Sequence, residues 1–256
     1  MKAVILDLDG TLLDSNKKVS NRNIAAIKRL EKAGIPVIIA TARPPRTVKN
    51  LLPEEIKLSA VMIYYNGAMI VSEKLKIKHH FSIESSVSSE IIDYLIETEP
   101  NHWLSIEVKD NWYSLNDLDY TTFMTNTSNP TRLNLAQFKE IHPTKILVSH
   151  LNSIPSLVEK FGNKVNMITT DSNKLTQIMQ LNISKEYAVS LVSEKLGISL
   201  KDMVVFGDDF NDIGLFKVCG YPVAMGNAIK ELKELAKEVT DTNDNDGVAK
   251  ILETLI

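Results

Sequence analysis

The sequence predicts an α/β protein: a parallel-sheet core interrupted by an α+β module. Three observations carry that reading. Short apolar runs without polar alternation recur at residues 3–6, 35–40, 60–64 and 203–206, an amphipathic helical pattern separates the first two, and between about 82 and 180 the pattern changes to apolar–polar alternation. An unbroken apolar run of four to six residues suits a strand buried on both faces, as in parallel sheets covered by helices, whereas alternation suits an antiparallel sheet.

The elements follow in order. Ala3, Val4, Ile5 and Leu6 run straight into Asp7, Asp9, Gly10 and Thr11, so the first strand ends in a loop bearing two carboxylates. In open parallel sheets ligands sit beyond the carboxyl ends of such strands. Residues 20–34 carry Ile24, Ile27 and Leu30 at helical spacing, with a polar start at Ser20 and a glycine cap at Gly34, and residues 35–40 complete a β-α-β unit. The run 60–64 ends in Asn66 and Gly67, and residues 69–71 and 76–81 read as a hairpin leading away from the sheet. The first core segment then closes near Phe81. Beyond it come a helix with Val87, Ile91, Ile92 and Leu95, and two strands around Asp110 and Asn111. There Leu104, Ile106 and Val108 alternate with polar neighbours, which predicts a half-exposed antiparallel sheet. Further strands are expected at 145–149, 164–168 and 175–179, with a helix at 154–161. The core resumes with a helix marked by Ala188, Leu191, Val192 and Leu196 and closed by Gly197, strands at 203–206 and 222–225, and a last helix through Val248, Leu252 and Leu255.

Composition narrows the function classes. A chain of 256 residues that is 44% hydrophobic can bury a full core. A net charge of −3 without a long basic run argues against a nucleic-acid surface, which relies on clustered Lys and Arg. Cys219 is the only cysteine, so an intrachain disulfide and a thiolate metal cluster are excluded, and a reducing compartment is expected. The chain enters its first strand at once, without a leader pattern, and no stretch approaches membrane-spanning length. The expectation is a cytoplasmic protein with no membrane partner.

Two carboxylates one residue apart repel each other, a cost that a cation or a chemical role offsets; the alternative is a solvated turn with a capping Asp. GDDFND at 207–212 repeats the geometry, with Gly207 turning the chain so that Asp208 and Asp212 face one crevice. Taken in order, DLDGT at 7–11, IIATAR at 38–43, Lys185 opening a helix and GDDFND at 207–212 resemble the haloacid dehalogenase superfamily of phosphohydrolases, more narrowly its Cof-like branch, and the likeness covers nearly the whole chain. It implies a Rossmann-like parallel-sheet core from residues 1–81 and 181–256, and over 82–180 an inserted α+β cap domain, an antiparallel sheet with helices on one face.

A phosphate monoester hydrolase needs an anionic nucleophile, a proton donor for the departing alkoxide, and positive charge against the accumulating negative charge. On this resemblance Asp7 is the nucleophile that forms an aspartyl-phosphate, and Asp9 the general acid and then the base. Thr41 donates a hydrogen bond to a phosphoryl oxygen and Lys185 neutralises charge; read alone, Thr41 is a helix N-cap and Lys185 a solvated helix residue. Carboxylates from two strand ends, with no His or Cys beside them, suit Mg2+ rather than zinc. The expected ligands are the Asp7 and Asp208 side chains and, from the family, the Asp9 backbone carbonyl, with Asn211 and Asp212 inner or outer shell. Asp209 reads as a solvated loop carboxylate. Asn66 and Gly67 stand, with Ala68, where the family often has NGA, either near substrate or as turn residues. Arg43 either meets an anionic substrate or caps a loop. Two departures stand out: Ala42 replaces a common glycine, and Glu186 replaces a frequent glycine and is expected to bring negative charge near the phosphate site.

The expected function is magnesium-dependent hydrolysis of a small phosphorylated metabolite, a sugar phosphate or a phosphorylated cofactor. The alternatives are a phosphotransferase or mutase using the same intermediate, and a non-enzymatic ligand-binding regulator. Residues 242–253 nearly fit a calcium loop, with Asp244, Asp246, Gly247 and Glu253 in register, but Thr242 stands where the first Asp belongs, so the match reads as coincidence. His79 and His80 are adjacent on a strand and face opposite sides. Trp103, Trp112 and Tyr113 read as core packing, the alternative being a cap surface that closes over substrate.

Overall fold

The computed structural model describes residues 1–99, 103–117, 129–149, 151, 153–170 and 174–255. The chain divides into two compact units, Met1–His79 with Ser184–Ile256, and His80–Ile183.

In the first unit β1 (Ala3–Leu6), α1 (Asn21–Lys32), β2 (Val37–Ala40), α2 (Pro45–Leu51), α3 (Glu54–Ser59) and β3 (Val61–Tyr64) precede the hairpin β4 (Met69–Ser72) and β5 (Ile77–His80). In the second unit come α4 (Ser85–Thr98), β6 (Trp103–Val108), β7 (Asn111–Ser114), β8 (Thr131–Arg132), α5 (Leu135–Lys139), β9 (Lys145–Ser149), α6 (Ile154–Phe161), β10 (Val165–Thr170) and β11 (Leu175–Gln180). The first unit then resumes with α7 (Lys185–Leu196), β12 (Met203–Gly207), α8 (Ile213–Val218), β13 (Tyr221–Ala224), α9 (Lys230–Leu235), β14 (Glu238–Val239) and α10 (Gly247–Leu255).

Among the described residues the first unit is built on an eight-stranded sheet in the order β14-β13-β12-β1-β2-β3-β4-β5. The pairs from β14 to β3 are parallel. β1 and β12 are wholly buried along their lengths, as unbroken apolar runs require when helices cover both faces. The 69–81 hairpin does not leave this sheet: β4 pairs antiparallel with β3 and β5 extends the edge, because Ile70 and Ile77 are buried and carry the apolar face outward. α1 starts as expected, with Ser20 Oγ accepting from the Asn23 N–H, and Gly34 follows its end at φ 73°. Its buried stripe includes Asn23, whose Oδ1 accepts the Ala249 N–H at 2.9 Å and ties α1 to α10. The short helices α2 and α3 escape a periodicity search. Their signals are local ones, Pro45 in the first turn of α2 and Glu54 and Glu55 in that of α3.

Among the described residues the second unit carries a six-stranded sheet in the order β10-β11-β9-β6-β7-β8, antiparallel except for β7–β8. Leu104, Ile106, Ile146, Val148 and Ile178 point from one face into a cluster with Ile91, Ile92 and Leu95 of α4, Phe138 of α5, and Leu157 and Phe161 of α6. The alternation in β6 suggested a half-exposed sheet, but the polar side is covered too: Ser105 is 1% and Glu107 3% exposed. Glu107 lies opposite Lys145 across the β6–β9 pair, and the Lys145 Nζ donates to Gln177 Oε1 at 3.3 Å on this buried face.

Candidate active site

Register places the candidate residues on one edge of the first sheet. Leu6 lies beside both Phe206 and Ile39, and Ala40 beside Ile63, so β12, β1, β2 and β3 end nearly level. The next residues are therefore neighbours: Asp7 after β1, Thr41 after β2, Asn66 and Gly67 shortly after β3, and Asp208 after β12.

The centre is a buried group of three carboxylates and one lysine. Lys185 is the first residue of α7, behind the N-cap Ser184, and is 1% exposed. Its Nζ donates to Asp7 Oδ1 at 2.6 Å and to Asp212 Oδ1 at 2.8 Å. A lysine at a helix start opposes the macrodipole, so these two carboxylates, not helix propensity, account for its position. Burial alone would weaken its hold on a proton, but Asp212 and Asp7 outweigh that and keep it above the ordinary lysine range. Asp212 spends its other oxygen on the turn, Oδ2 accepting from the Asp208 N–H at 3.1 Å and the Asp209 N–H at 3.4 Å. Asp208 Oδ1 accepts from the Thr11 hydroxyl at 2.9 Å.

Charge is out of balance here. Burial, with Asp212 and Asp208 nearby, holds Asp7 well above the usual carboxylate range despite Lys185, and burial with Asp212 pushes Asp208 up to about 7. Ligand oxygens of Asp7, Asp208 and Asp212 lie within 4.8 Å of one another. An all-oxygen set short of positive charge fits a hard divalent cation.

Asp9 behaves differently. Its Oδ2 accepts from Arg43 Nε at 2.5 Å, and its Oδ1 from Arg43 Nη2 at 2.7 Å and Lys17 Nζ at 2.8 Å. Burial works against the charged form, but the Arg43 and Lys17 bonds outweigh it, and Asp9 is held below the usual range. Arg43 thus grips a site carboxylate in this structure. Lys17 escaped the sequence reading, as did the Thr11 bond, because a lysine eleven residues beyond the end of β1 carries no spacing signal. It sits at φ 59° in a turn closed by Asp14, whose Oδ1 accepts the Asn16 and Lys18 N–H groups at 2.9 and 2.8 Å.

Two glycines are required by what faces them. Gly10 has φ +73°, and a Cβ there would fall 2.1 Å from Asp208 Oδ2. Gly67 has φ +111°, and a Cβ would fall 2.2 Å from the Ser184 carbonyl oxygen. Gly67 is buried against the start of α7, where its bareness lets Lys185 reach the carboxylates. Asn66 is buried at φ 53°, its N–H donating to the Thr41 carbonyl at 2.9 Å and its Oδ1 accepting from Asn211 Nδ2 at 3.1 Å. Thr41 does not cap α2, which starts behind Pro44. Its Oγ1 accepts the Arg43 N–H at 3.1 Å, which leaves the hydroxyl hydrogen able to donate. The Glu186 carboxylate lies against Gly214 in the first turn of α8, where a Cβ would meet it at 2.2–2.3 Å. That is favourable ground for a negative charge. Asp209 caps its own turn, Oδ1 accepting the Phe210 N–H at 2.8 Å. The near-calcium loop is committed to protein partners, Asp244 to Ser15 and Glu253 to Arg22.

Fold and site together define an α/β enzyme whose carboxylates and lysine converge at the ends of parallel strands. The chain belongs to the haloacid dehalogenase-like hydrolases, whose family model matches residues 4–252, and it is a phosphatase. It is 31% identical to the 5-amino-6-(5-phospho-D-ribitylamino)uracil phosphatase YcsE of Bacillus subtilis (strain 168), over 98% of this chain and 94% of that one. It is 28% identical to a phosphoglycolate phosphatase of Archaeoglobus fulgidus, over 99% and 96%. The crystal structure of TM0651 from Thermotoga maritima superposes with a TM-score of 0.84 at 27% identity, covering 99% of this chain and 97% of that one. Among the described residues no helix is long and apolar enough to cross a membrane.

Proposed function

We propose that the protein hydrolyses a small phosphorylated metabolite with Mg2+ through an aspartyl-phosphate on Asp7. The observation that carries this reading is the buried Asp7–Lys185–Asp212 group beside Asp208. Asp7 Oδ1 is occupied by Lys185, so Oδ2 is the oxygen assigned to attack. Its bond to phosphorus forms as the ester oxygen departs, and Asp9 gives that oxygen a proton. In the second half Asp9 takes a proton from water, the water oxygen bonds to phosphorus, and Asp7 leaves with its electron pair as inorganic phosphate is released. Gripped by Arg43, resting Asp9 is ionised; a phosphate dianion entering beside it competes for Arg43 and favours protonation of Asp9. Thr41 and Lys185 offer donors to the phosphoryl oxygens. Asp7, Asp208 and the Asp9 carbonyl would hold Mg2+, which supplies positive charge against the phosphoryl group. Asp212, with both oxygens engaged, is assigned to positioning Lys185 and the turn. The relatives named above support the substrate class, the unit His80–Ile183 corresponds to the family's inserted cap, and the single buried thiol of Cys219 suits the cytoplasm.

A screen of phosphorylated metabolites for released phosphate, with and without Mg2+, tests the reading; transfer to a second hydroxyl with no net phosphate release would replace hydrolysis by phosphotransfer. The metal assignment has a pH signature. Asp208, pushed up to about 7, must lose its proton to bind the ion, so apparent Mg2+ affinity falls as pH drops through 7. Between pH 7 and pH 6 the half-saturating concentration should rise by roughly fivefold for the one proton displaced from Asp208. A half-saturation independent of pH, or full turnover in excess chelator, removes the metal from this site.

Asp9→Ala separates the two halves of the reaction. An alkyl alkoxide needs a proton to leave and nitrophenolate does not, and general acid catalysis supplies roughly 10² to 10⁴ in rate. The variant should therefore lose far more of the first step on a sugar phosphate than on nitrophenyl phosphate. On the latter it should show a burst of nitrophenol near one per site before a slow phase, because water still requires a base. Equal slowing on both substrates without a burst would take the proton-transfer role from Asp9.

A further inference from the structure

We infer that Asn227, Asn243 and Asp244 form a brace that positions the loop from Gly10 to Lys18, and through it Asp9. The inference rests on the role proposed for Asp9. Three parts of that loop are held from outside. Near its start, Asn227 Nδ2 donates to the Gly10 carbonyl at 2.8 Å. In its middle, Asn243 Nδ2 donates to the Leu13 carbonyl at 2.8 Å. Toward its end, Asp244 accepts from Ser15 twice, Oδ1 from the N–H at 2.7 Å and Oδ2 from the hydroxyl at 2.6 Å. The brace is itself linked, since the Asn243 N–H donates to Asn227 Oδ1 at 3.0 Å. It is also anchored behind: Thr240 Oγ1 donates to the Gly247 carbonyl, the Gly226 N–H to the Asp241 carbonyl, and Lys250 pairs with Asp241.

What the brace holds explains its purpose. Ser15 adjoins the Asp14 turn that sets Lys17 at φ 59°, and Lys17 Nζ reaches Asp9 Oδ1 at 2.8 Å. A left-handed φ at a lysine is uncommon and costs energy that its surroundings must offset. Gly10, pinned at the other end, is the residue after Asp9 and lies against Asp208. The pattern Asp244, Asp246, Gly247 that resembles a calcium loop is accounted for in the same way. Asp244 faces Ser15, Asp246 turns the chain at φ 57°, and Gly247 brings the backbone against the Asp241 carbonyl, 2.2 Å from where a Cβ would stand. These are positioning residues, and none is placed on the reacting atoms.

The test uses the whole enzyme with Asp244→Ala, Asp244→Asn and Ser15→Ala. Amide hydrogen exchange is read at residues 13–18, and kcat on glycerol phosphate and on nitrophenyl phosphate. Asp244→Ala should speed exchange in this loop and lower kcat on glycerol phosphate on the order of 10-fold to 100-fold, as a misplacement near 1 Å does. The loss should be smaller on nitrophenyl phosphate, because what is displaced is the proton donor. Asp244→Asn, which keeps an acceptor for the Ser15 N–H, should recover part of the rate. Should Asp244→Ala fail to fold, Ser15→Ala removes only the hydroxyl bond and should show the same pattern at smaller size. Unchanged exchange in the loop overturns the brace whatever the kinetics. Faster exchange with equal losses on both substrates overturns its link to Asp9. Were Asp9→Ala itself to lack leaving-group dependence, the fault would lie with the Asp9 role, and the exchange result would still judge the brace.

Discussion

Asp7→Asn abolishes turnover, by on the order of 10⁴-fold or more as removal of a nucleophile does, while the fold remains. Asn keeps the volume and an oxygen for the Lys185 hydrogen bond, but its amide cannot form the acyl-phosphate. The metal-free variant should also be at least as stable as the parent. Asp7 has its carboxyl held above the usual range by burial and by Asp212 and Asp208. An acid raised on folding costs stability as pH climbs above its unfolded value, and that cost disappears in the Asn variant. The gain should be seen near pH 8 and vanish toward pH 3, below the unfolded value near 3.8, where Asp7 is mostly protonated in both states. Thermal melts without metal at the two pH values, with phosphate release alongside, check both parts. Turnover near the parental rate would show that another group attacks phosphorus.

Lys185→Met should be the most damaging single change to stability and activity together. Removing the cation leaves two carboxylates buried without it, a situation that costs about 3–5 kcal/mol. Lys185 is held above its ordinary range, so its contribution is whole below the unfolded lysine value near 10.5 and is lost only as pH rises beyond that. The deficit is therefore present at neutral pH. Adding Asp212→Asn should recover part of the stability and none of the turnover. An unchanged urea midpoint for Lys185→Met would mean that the buried pair adds nothing to stability.

Much of the fold was legible because buried parallel strands leave an unmistakable trace. The runs at 3–6 and 203–206 match the observed strands to within a residue. Edges and short pieces were harder. The 69–81 hairpin was misplaced because sequence alone does not say whether an antiparallel pair joins a sheet or departs from it. Alternation in β6 separated two faces but could not reveal that both are buried. At the candidate site, Asp7, Asp208 and Asp212 could be selected because carboxylates converging from strand ends are costly without a purpose, whereas Lys185, alone a solvated helix residue, is singled out only by the family resemblance. Arg43, Lys17 and Glu186 could not be placed, since a flexible charged side chain goes where its partner is. Arg43 and Lys17 found Asp9, and Glu186 found the first turn of α8.

The pairing of β1 with β12 has a consequence for the newborn chain. Lys185 and Asp7 are 178 residues apart, and Thr11 and Asp208 are 197 apart. Contacts so distant in sequence form late, because closing the intervening loop is entropically unfavourable. On the ribosome the first strand emerges with no neighbour for its inner edge and its carboxylates without a lysine. The unit His80–Ile183 draws its contacts from within a continuous segment, all of which is made before Lys185. The insertion is thus made between the two segments of its host, and Asp7, which precedes it, gains Lys185, Asp208 and Asp212 only once the insertion has been made.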